Sequence, residues 1–275
     1  MIPAGTNEKR NIRLRIAYDG TDFSGWQRQD GRRTVQGVLE NALEKMHHHP
    51  VPLTGAGRTD AGVHAAGQMA NFYTDIARIE PERFVPALNG FLAPDLRILE
   101  SHAVDPGFHA RFDARSRTYQ YHLIGGRDPL PHEGRYAHHL RHVPRIDILN
   151  SYARLLHGEM DCTLFAAARD PSRSRFRYIN NAYFFIDRDI LVFEITANAF
   201  LWNMVRSIVG TLLFYEERQC STSHFADILT AGFRSDAGPT LPPTGLFLWN
   251  VAYPTRGQTL FRLRVRNGVY VAAHG

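Results

Sequence analysis

The chain has 275 residues, enough for one large domain or two of ordinary size, and its apolar share of 44% is typical of a folded protein. Its 32 Lys and Arg residues, most of them arginine, exceed the 27 Asp and Glu residues, and the resulting charge of +5 suits a partner that carries phosphates. Charge alone does not establish nucleic-acid binding, since many basic proteins bind no polyanion.

The two cysteines, Cys162 and Cys220, exclude a four-thiolate zinc site and a dense disulfide framework. We expect both to be free structural thiols in a reducing compartment. The N-terminal residues lack the apolar core of a secretory signal, and no apolar run is long enough to cross a bilayer. These features predict a cytoplasmic protein with no membrane segment.

The first half of the chain predicts alternating strands and helices. Ile12, Leu14 and Ile16 alternate with polar residues, which indicates a strand with one solvated face. After Thr34, a candidate N-cap, apolar residues recur at the spacing of a helix with one buried stripe. The predicted elements are a strand at residues 12–18, a helix after Thr34, a shorter helix at residues 81–92 and a strand at residues 96–104.

The pattern restarts after residues 106–117, which we interpret as the break between two domains at residues 1–108 and 109–275. The predicted elements that follow are a strand at residues 117–124, a helix at residues 148–156, strands at residues 182–186 and 190–196, a long helix at residues 199–215 and a capped helix after Ser223. Amphipathic strands favour antiparallel sheets covered by helices on one face. The sequence therefore predicts an α+β fold of two similar domains, each a mainly antiparallel sheet backed by helices.

The run GAGRTDAGVHA at residues 55–65 surrounds Asp60 with three glycines, Gly55, Gly57 and Gly62. Such a run suits a loop with unusual backbone angles or close approach by a ligand. Taken alone, an aspartate in a glycine-rich loop is more often a local backbone cap than a catalytic acid. The glycine spacing fits neither a dinucleotide-binding fingerprint nor a phosphate-binding loop.

Five longer words occur in one order along the chain. They are YDGTDFSGWQ at residues 18–27, GAGRTDAGVHA at residues 55–65, FHARFDARSRTYQY at residues 108–121, ANAFLWNMVRSIVG at residues 197–210 and PPTGLFLWNVAYP at residues 242–254. This series resembles the TruA-type tRNA pseudouridine synthases over nearly the whole chain. The joint occurrence of several long words is far more specific than any single short motif.

The resemblance implies a catalytic role for Asp60, which would attack or deprotonate the ribose while the N-glycosidic bond breaks. That chemistry needs an ionised carboxylate. Arg206 matches the arginine that pairs with this aspartate, and an opposite charge nearby lowers a carboxyl pKa. Tyr119 matches the tyrosine whose ring lies against the target uracil. Without the resemblance, Arg206 would be interpreted as a solvated residue on the rim of a helix, and Tyr119 as a cross-strand core residue.

The resemblance further implies an isomerase that acts on uridines at positions 38–40, in the anticodon stem-loop of tRNA. It implies a homodimer with no metal or other cofactor and with the active-site cleft between its two domains. Extruding a stacked nucleotide has to be offset by other contacts to the RNA. Our candidates for these contacts are Arg58, Arg111, Arg115 and Arg117.

Histidines cluster at residues 47–49 and 138–142, but without the spacing of a metal site, and we expect no bound metal. Three segments depart from the family pattern. They are MDCTLFAAA at residues 160–168, LLFYEERQCSTS at residues 212–223 and TLPP at residues 240–243. We expect none of these changes to touch Asp60, Tyr119 or Arg206, so that only loop contacts to RNA are affected.

Two other functions remain open on the sequence. One is a non-catalytic RNA-binding protein or RNA chaperone on the same scaffold, against which the presence of Asp60, Tyr119 and Arg206 argues. The other is an N-glycosidase that uses the same aspartate but releases the base. Free uracil would distinguish the N-glycosidase from an isomerase.

Overall fold

The computed structural model describes residues 9–254, 262–266 and 269–273, and ten strands in this part of the chain form one sheet. Residues 1–8, on which the expectation of no secretory signal partly depends, lie outside the described residues. The strands of the sheet are β1 (Arg10–Tyr18), β2 (Thr54–Gly55), β3 (His64–Thr74), β4 (Leu96–Val104), β5 (Ser116–Gly125), β6 (His138–Leu140), β7 (Gly158–Asp161), β8 (Phe176–Asp187), β9 (Ile190–Ala197) and β10 (Leu246–Ala252). A separate two-stranded sheet pairs β11 (Arg262–Arg266) with β12 (Val269–Ala273).

The order of the large sheet is β4-β1-β3-β10-β5-β9-β8-β7, with β2 paired to β3 and β6 paired to β5. The described pairs are antiparallel except for β3–β10 and β5–β6, which are parallel. The predicted α+β class is confirmed. Strands of the two halves of the chain meet at the β3–β10 pair, so one sheet runs through both. The division into domains at residue 108 stays a prediction.

The sequence patterns predicted β1 but neither β3 nor β10, and a comparison of β1 with β3 shows one reason. In β1 the buried Ile12, Leu14 and Ile16 alternate with more exposed arginines, as the period-two pattern predicts. In β3, by contrast, nearly every residue is buried on both faces, although both strands have pairing partners on either side. A strand buried on both faces loses the alternation that marks a half-solvated strand.

Five α-helices lie in the described residues: α1 (Val35–His47), α2 (Phe84–Asn89), α3 (Ile146–Ala153), α4 (Met204–Glu217) and α5 (Thr222–Ala231). Thr34 caps α1 as predicted, since its hydroxyl accepts the Gly37 N–H at 3.3 Å. The cap predicted at Ser223 is wrong: Ser221 has the extended backbone of an N-cap, and its hydroxyl accepts the His224 N–H at 3.1 Å. None of the helices in the described residues has both the length and the apolar character that crossing a membrane requires.

The long helix predicted at residues 199–215 begins five residues later, at Met204. Asn203, just before it, has a left-handed backbone with φ of 59°, which breaks the helical path. Leu201 is buried as the apolar stripe requires, but from a loop. Apolar spacing reports burial and does not by itself show where a helix begins.

The register of β10 brings distant segments together. Leu248 of β10 lies opposite Ala65 at the start of β3 on one side and opposite Tyr119 of β5 on the other. His64 and His122 flank the Phe247 ring, with centroid distances of 4.7 and 4.6 Å. β10, which lies in the word PPTGLFLWNVAYP, therefore separates the end of the Asp60 loop from Tyr119 by the width of one strand.

Candidate active site

Both halves of the chain line a cleft of about 430 Å³, within the range of small-molecule sites. Asp60 and Arg58 face it from the glycine-rich loop, Tyr119 from β5, and residues 199–205 from the loop and first turn of α4. The five words of the sequence all contribute lining residues to this cleft. Segments far apart in sequence therefore meet at one site.

The loop that carries Asp60 is held by hydrogen bonds on both sides of the aspartate. The Trp26 N–H donates to the Thr59 carbonyl at 3.0 Å, and the Val63 N–H donates to the Asp60 carbonyl at 3.2 Å. The Thr59 and Tyr18 hydroxyls share a buried hydrogen bond of 2.8 Å. These contacts fix the backbone around Asp60 without engaging its carboxylate.

Two glycines of the word YDGTDFSGWQ allow this close packing. A Cβ on Gly20 would lie 2.1 Å from the Val63 carbonyl oxygen, and one on Gly25 would lie 2.7 Å from the Thr59 carbonyl oxygen. Gly25 also has a φ of 88°, which side chains disfavour. At both glycines the backbone of residues 18–27 therefore packs directly against the backbone of the Asp60 loop. The two glycines were not predicted as site residues, although a pair of glycines in a non-helical word was a signal for close approach.

Arg206, in the first turn of α4, lies beside Asp60. Its Nη1 is 3.7 Å from the Asp60 Oδ2, the one ion pair that Asp60 makes within 4 Å among the described residues. The Arg206 Nε donates to the Leu241 carbonyl at 2.6 Å, and Nη1 donates to the Asn203 side-chain oxygen at 2.8 Å. The guanidinium is thus held in place by two acceptors other than Asp60.

One expectation about the departures from the family pattern is wrong. The TLPP segment does touch the site, because Leu241 accepts from the Arg206 side chain and its N–H donates to the Arg206 carbonyl at 3.3 Å. The contact uses only the Leu241 backbone. A change of side chain at this position therefore leaves the acceptor in place.

Burial in the cleft raises the pKa of Asp60 above its ordinary value, and the positive charge of Arg206 opposes that rise. The side chain still has 44% of its surface exposed, so the carboxylate lies in an open cleft and not in a sealed cavity. The pairing that the sequence predicts is present, but desolvation is the larger of the two effects. The charge of Arg206 therefore favours the ionised carboxylate in a place where burial disfavours it.

Tyr119 lies in the wall of the cleft, almost fully buried, with its ring edge-on to Phe200 at a centroid distance of 4.9 Å. Burial, and secondarily the charge of Asp60, raise the pKa of Tyr119. Its phenol therefore keeps its proton at neutral pH. Tyr121 is fully buried, and its hydroxyl donates to the Pro242 carbonyl at 2.7 Å, next to the residue that holds Arg206.

The four arginines predicted to contact RNA occupy different environments. Arg58 and Arg111 are exposed and line the cleft, whereas Arg115 is exposed outside it. Arg117 is half-buried, and its two terminal nitrogens donate to four backbone carbonyls at 2.8–3.2 Å. The acceptors are Ala56, Arg111, Ala114 and Asn198. These carbonyls belong to three different words, so Arg117 ties three walls of the cleft together, and a direct contact to RNA stays a prediction.

Asp170 is a further residue that sequence reasoning missed. Its buried carboxylate accepts the Trp202 N–H at 2.5 Å and the Ser172 N–H at 2.8 Å. Burial acts to raise the pKa of Asp170, but the Trp202 and Ser172 hydrogen bonds outweigh it, and the pKa is lowered. Asp170 thereby fixes the loop before α4. In the sequence it lies in a stretch rich in arginine, which gave no indication of this structural role.

The two cysteines and the histidines at residues 47–49 and 138–142 lie outside the lining of the cleft in the part of the chain that the structure describes. Cys162 and Cys220 are free, and burial raises the pKa of Cys162 to about 12, so its thiol stays protonated. No three His, Cys, Asp or Glu side chains in residues 9–254 lie together as a metal site requires. His47, from the first histidine cluster, is buried and makes hydrogen bonds to Leu43 and Thr74.

A family model described as tRNA pseudouridine synthase matches residues 15–113 and 152–254, more than half of the chain. The chain belongs to the tRNA pseudouridine synthase family. Asp60 lies in the first matched segment and Arg206 in the second, whereas Tyr119 lies between them. The match in two parts agrees with a fold built from two related halves.

Individual relatives extend the similarity over almost the whole chain. A protein named tRNA pseudouridine synthase A from Treponema denticola is 52% identical over 254 residues, which cover 90% of this chain and 95% of the relative. One of the same name from Treponema pallidum, strain Nichols, is 48% identical over 85% of each chain. Another from Caldicellulosiruptor saccharolyticus is 38% identical over 89% of this chain and 100% of the relative.

Proposed function

We propose that the chain isomerises uridine to pseudouridine in tRNA, with Asp60 as the catalytic carboxylate. The observation that carries this proposal is the ion pair of 3.7 Å between Asp60 and Arg206 in a cleft that Tyr119 also lines. Membership of the tRNA pseudouridine synthase family supports the same reaction.

The reaction breaks the bond between N1 of uracil and C1′ of the ribose and forms a bond between C5 and C1′. The C5 proton is lost and N1 gains a proton, so no atoms are gained or lost overall. Asp60 starts the reaction as a nucleophile at the ribose or as a base, and only its ionised form does either. Arg206 keeps that form populated in a cleft that favours the neutral acid.

Tyr119 is proposed to hold the uracil while it is detached. Its ring is fixed between the neighbouring strands and Phe200, so it presents a rigid surface to a base in the cleft. Stacking on this surface favours rotation of the detached base in place over its escape to solvent. Retention of the base distinguishes the proposed isomerase from an N-glycosidase, which releases it.

The finer parts of the proposal rest on the resemblance. They are action on positions 38–40 in the anticodon stem-loop, a homodimeric assembly, a cytoplasmic location and the absence of a cofactor. Exposed Arg58 and Arg111 at the cleft supply positive charge for the RNA backbone, and Arg115 adds charge nearby. Phosphate contacts of this kind position a stem-loop without reading its sequence.

The decisive experiment compares the wild-type chain with Asp60→Asn on an unmodified tRNA transcript. We expect the wild type to form pseudouridine without a change in RNA mass, and Asp60→Asn to form none while it still binds the transcript. Because the charge of Asp60 is disfavoured in the folded cleft, Asp60→Asn should melt at or above the wild-type temperature.

Three results would contradict the proposal. Turnover by Asp60→Asn would remove the carboxylate from the mechanism. Free uracil with an RNA one base lighter would identify an N-glycosidase. Binding of tRNA by the wild type with no product on any transcript would favour the non-catalytic RNA-binding protein.

A further inference from the structure

Phe112 is the most exposed large apolar side chain in the described residues, with 73% of its surface accessible. It lines the same cleft as Asp60, in the word FHARFDARSRTYQY. Exposed apolar surface is unfavourable in water, so a ring held in the open next to a reaction site indicates a surface that another molecule covers.

The exposure of Phe112 does not result from a loose loop, because the turn at residues 109–113 is tied down along its backbone. The His109 N–H donates to the Asp113 carboxylate at 2.8 Å, and the Arg111 and Phe112 N–H groups donate to His109 Nδ1 at 3.2 and 3.3 Å. Tyr253, which lies outside the turn, donates its hydroxyl to the Ala110 carbonyl within it at 2.7 Å. Phe112 is therefore presented to solvent from a backbone that is held in place.

The neighbours of the Phe112 ring suit a nucleobase. His109 stacks on it at a centroid distance of 4.2 Å and an interplanar angle of 29°, and the Arg111 guanidinium lies 5.8 Å from its centroid. A flat aromatic surface beside a cation matches a base and the phosphate attached to it. Arg58, on the same cleft, adds a second positive charge.

We propose that Phe112 is a stacking platform for the base of the nucleotide next to the target uridine. This proposal rests on the proposed function. In the proposed reaction the target nucleotide occupies the cleft beside Asp60, so a base that stacks on the exposed ring of Phe112 belongs to an adjoining nucleotide. Covering Phe112 with that base replaces the stacking that the adjoining nucleotide loses when the target is extruded. Phe112 thus favours the extruded state without touching the reacting atoms.

The test uses Phe112→Ala, which removes the ring, and Phe112→Trp, which keeps a stacking surface. Phe233 supplies the matched control, because it is 65% exposed and does not line the cleft. Binding to a tRNA transcript is measured in the Asp60→Asn background, which separates the platform from turnover. The same transcript with an abasic site on either side of the target uridine shows whether the lost contact is to a base.

We expect Phe112→Ala to weaken binding of the intact transcript roughly 5- to 150-fold, the range for loss of one base–aromatic stack. Phe112→Trp and Phe233→Ala should bind the intact transcript about as tightly as the Asp60→Asn protein without a second substitution. On one of the two abasic transcripts, Phe112→Ala should bind as tightly as that protein does, because no base remains to stack.

Unchanged binding by Phe112→Ala would overturn the proposal, as would an equal loss on both abasic transcripts. A lower mass of Phe112→Ala in light scattering would assign the ring to a contact between copies of this chain, and would overturn it too. None of these results depends on product formation. Failure of the platform is therefore distinguishable from failure of the proposed isomerase, which only the pseudouridine assay tests.

Discussion

Two parts of the cleft have similarly fixed backbones but present different side chains. The floor, residues 59–63, carries Asp60 on a backbone that is bracketed by glycines and internal hydrogen bonds. The rim, residues 109–113, is equally tied down in its backbone but presents Arg111 and Phe112 to solvent. The floor holds one group in place for chemistry, whereas the rim offers surface for binding. Substitutions in the floor should therefore lower turnover, and those in the rim should lower affinity.

The largest effect is expected from Gly20→Ala, which forces a methyl group against the Val63 carbonyl in the floor. Overpacking of this kind costs about 1–3 kcal/mol or more, and a displacement of about 1 Å at Asp60 lowers turnover about 100-fold. Thermal melting and single-turnover assays measure both. Gly57→Ala, where nothing lies within 4 Å of the added carbon, should keep the wild-type melting temperature. Equal melting of the two variants would show that the floor tolerates displacement.

Arg206→Met should come next. Loss of the positive charge leaves burial unopposed, so the pKa of Asp60 rises further. Since the ionised form is the active one, activity that is lost as pH falls should be lost at a higher pH in the variant. At neutral pH we expect turnover to fall on the order of 100-fold, because the position of the carboxylate is also disturbed. A pH–rate profile with an unshifted acid limb would show that Arg206 does not control the ionisation of Asp60.

Arg117→Lys tests the connection of the rim, through Arg111, to Ala56 before the floor and to Asn198 before α4. A lysine ammonium has three donors on one nitrogen and cannot reach the four carbonyls that Arg117 joins. Leaving part-buried carbonyls unpaired costs about 1–3 kcal/mol, so the melting temperature should fall by several degrees. We expect kcat to fall about tenfold with a smaller change in KM. A variant that melts normally and loses only affinity would instead support the predicted contact to RNA.

The smallest effects are expected from Arg111→Gln and Arg115→Gln at and near the rim. Both side chains are exposed, so melting should be unchanged. Each arginine that contacts a phosphate should reduce the salt dependence of tRNA binding by about one unit of slope when it is removed. Binding titrations at several salt concentrations measure this. An unchanged slope for either variant would remove that residue from the RNA contacts.

The chemistry of the site was more predictable than its construction. The words of the sequence predicted Asp60, Arg206 and Tyr119 as site residues; in the structure Asp60 and Tyr119 line one cleft, and Arg206 forms an ion pair with Asp60. The roles of Gly20 and Arg117 were not predicted. A glycine pair can signal close approach but does not show which backbone it admits, and a half-buried arginine looks in the sequence like a solvated one. Their roles depend on partners some 40 to 80 residues away.

The prediction of secondary structure was likewise limited to features that a single segment records. Alternation and helical spacing located β1, α1 and most of the second half, because these patterns record which side of one segment is buried. The strands that they missed include β3, which is buried on both faces, and they placed the start of α4 five residues early, where Asn203 turns the chain. Neither feature leaves a periodic signal.

By itself, the sequence determined the α+β class and predicted the residues that we propose to carry the chemistry, since burial patterns and reactive groups are properties of single segments. Only the tertiary structure decided how those groups meet. The register of β10 between β3 and β5 sets the spacing from the Asp60 loop to Tyr119, and the Leu241 carbonyl holds Arg206. These contacts join segments distant in the chain, and their geometry is set by packing that no single segment records.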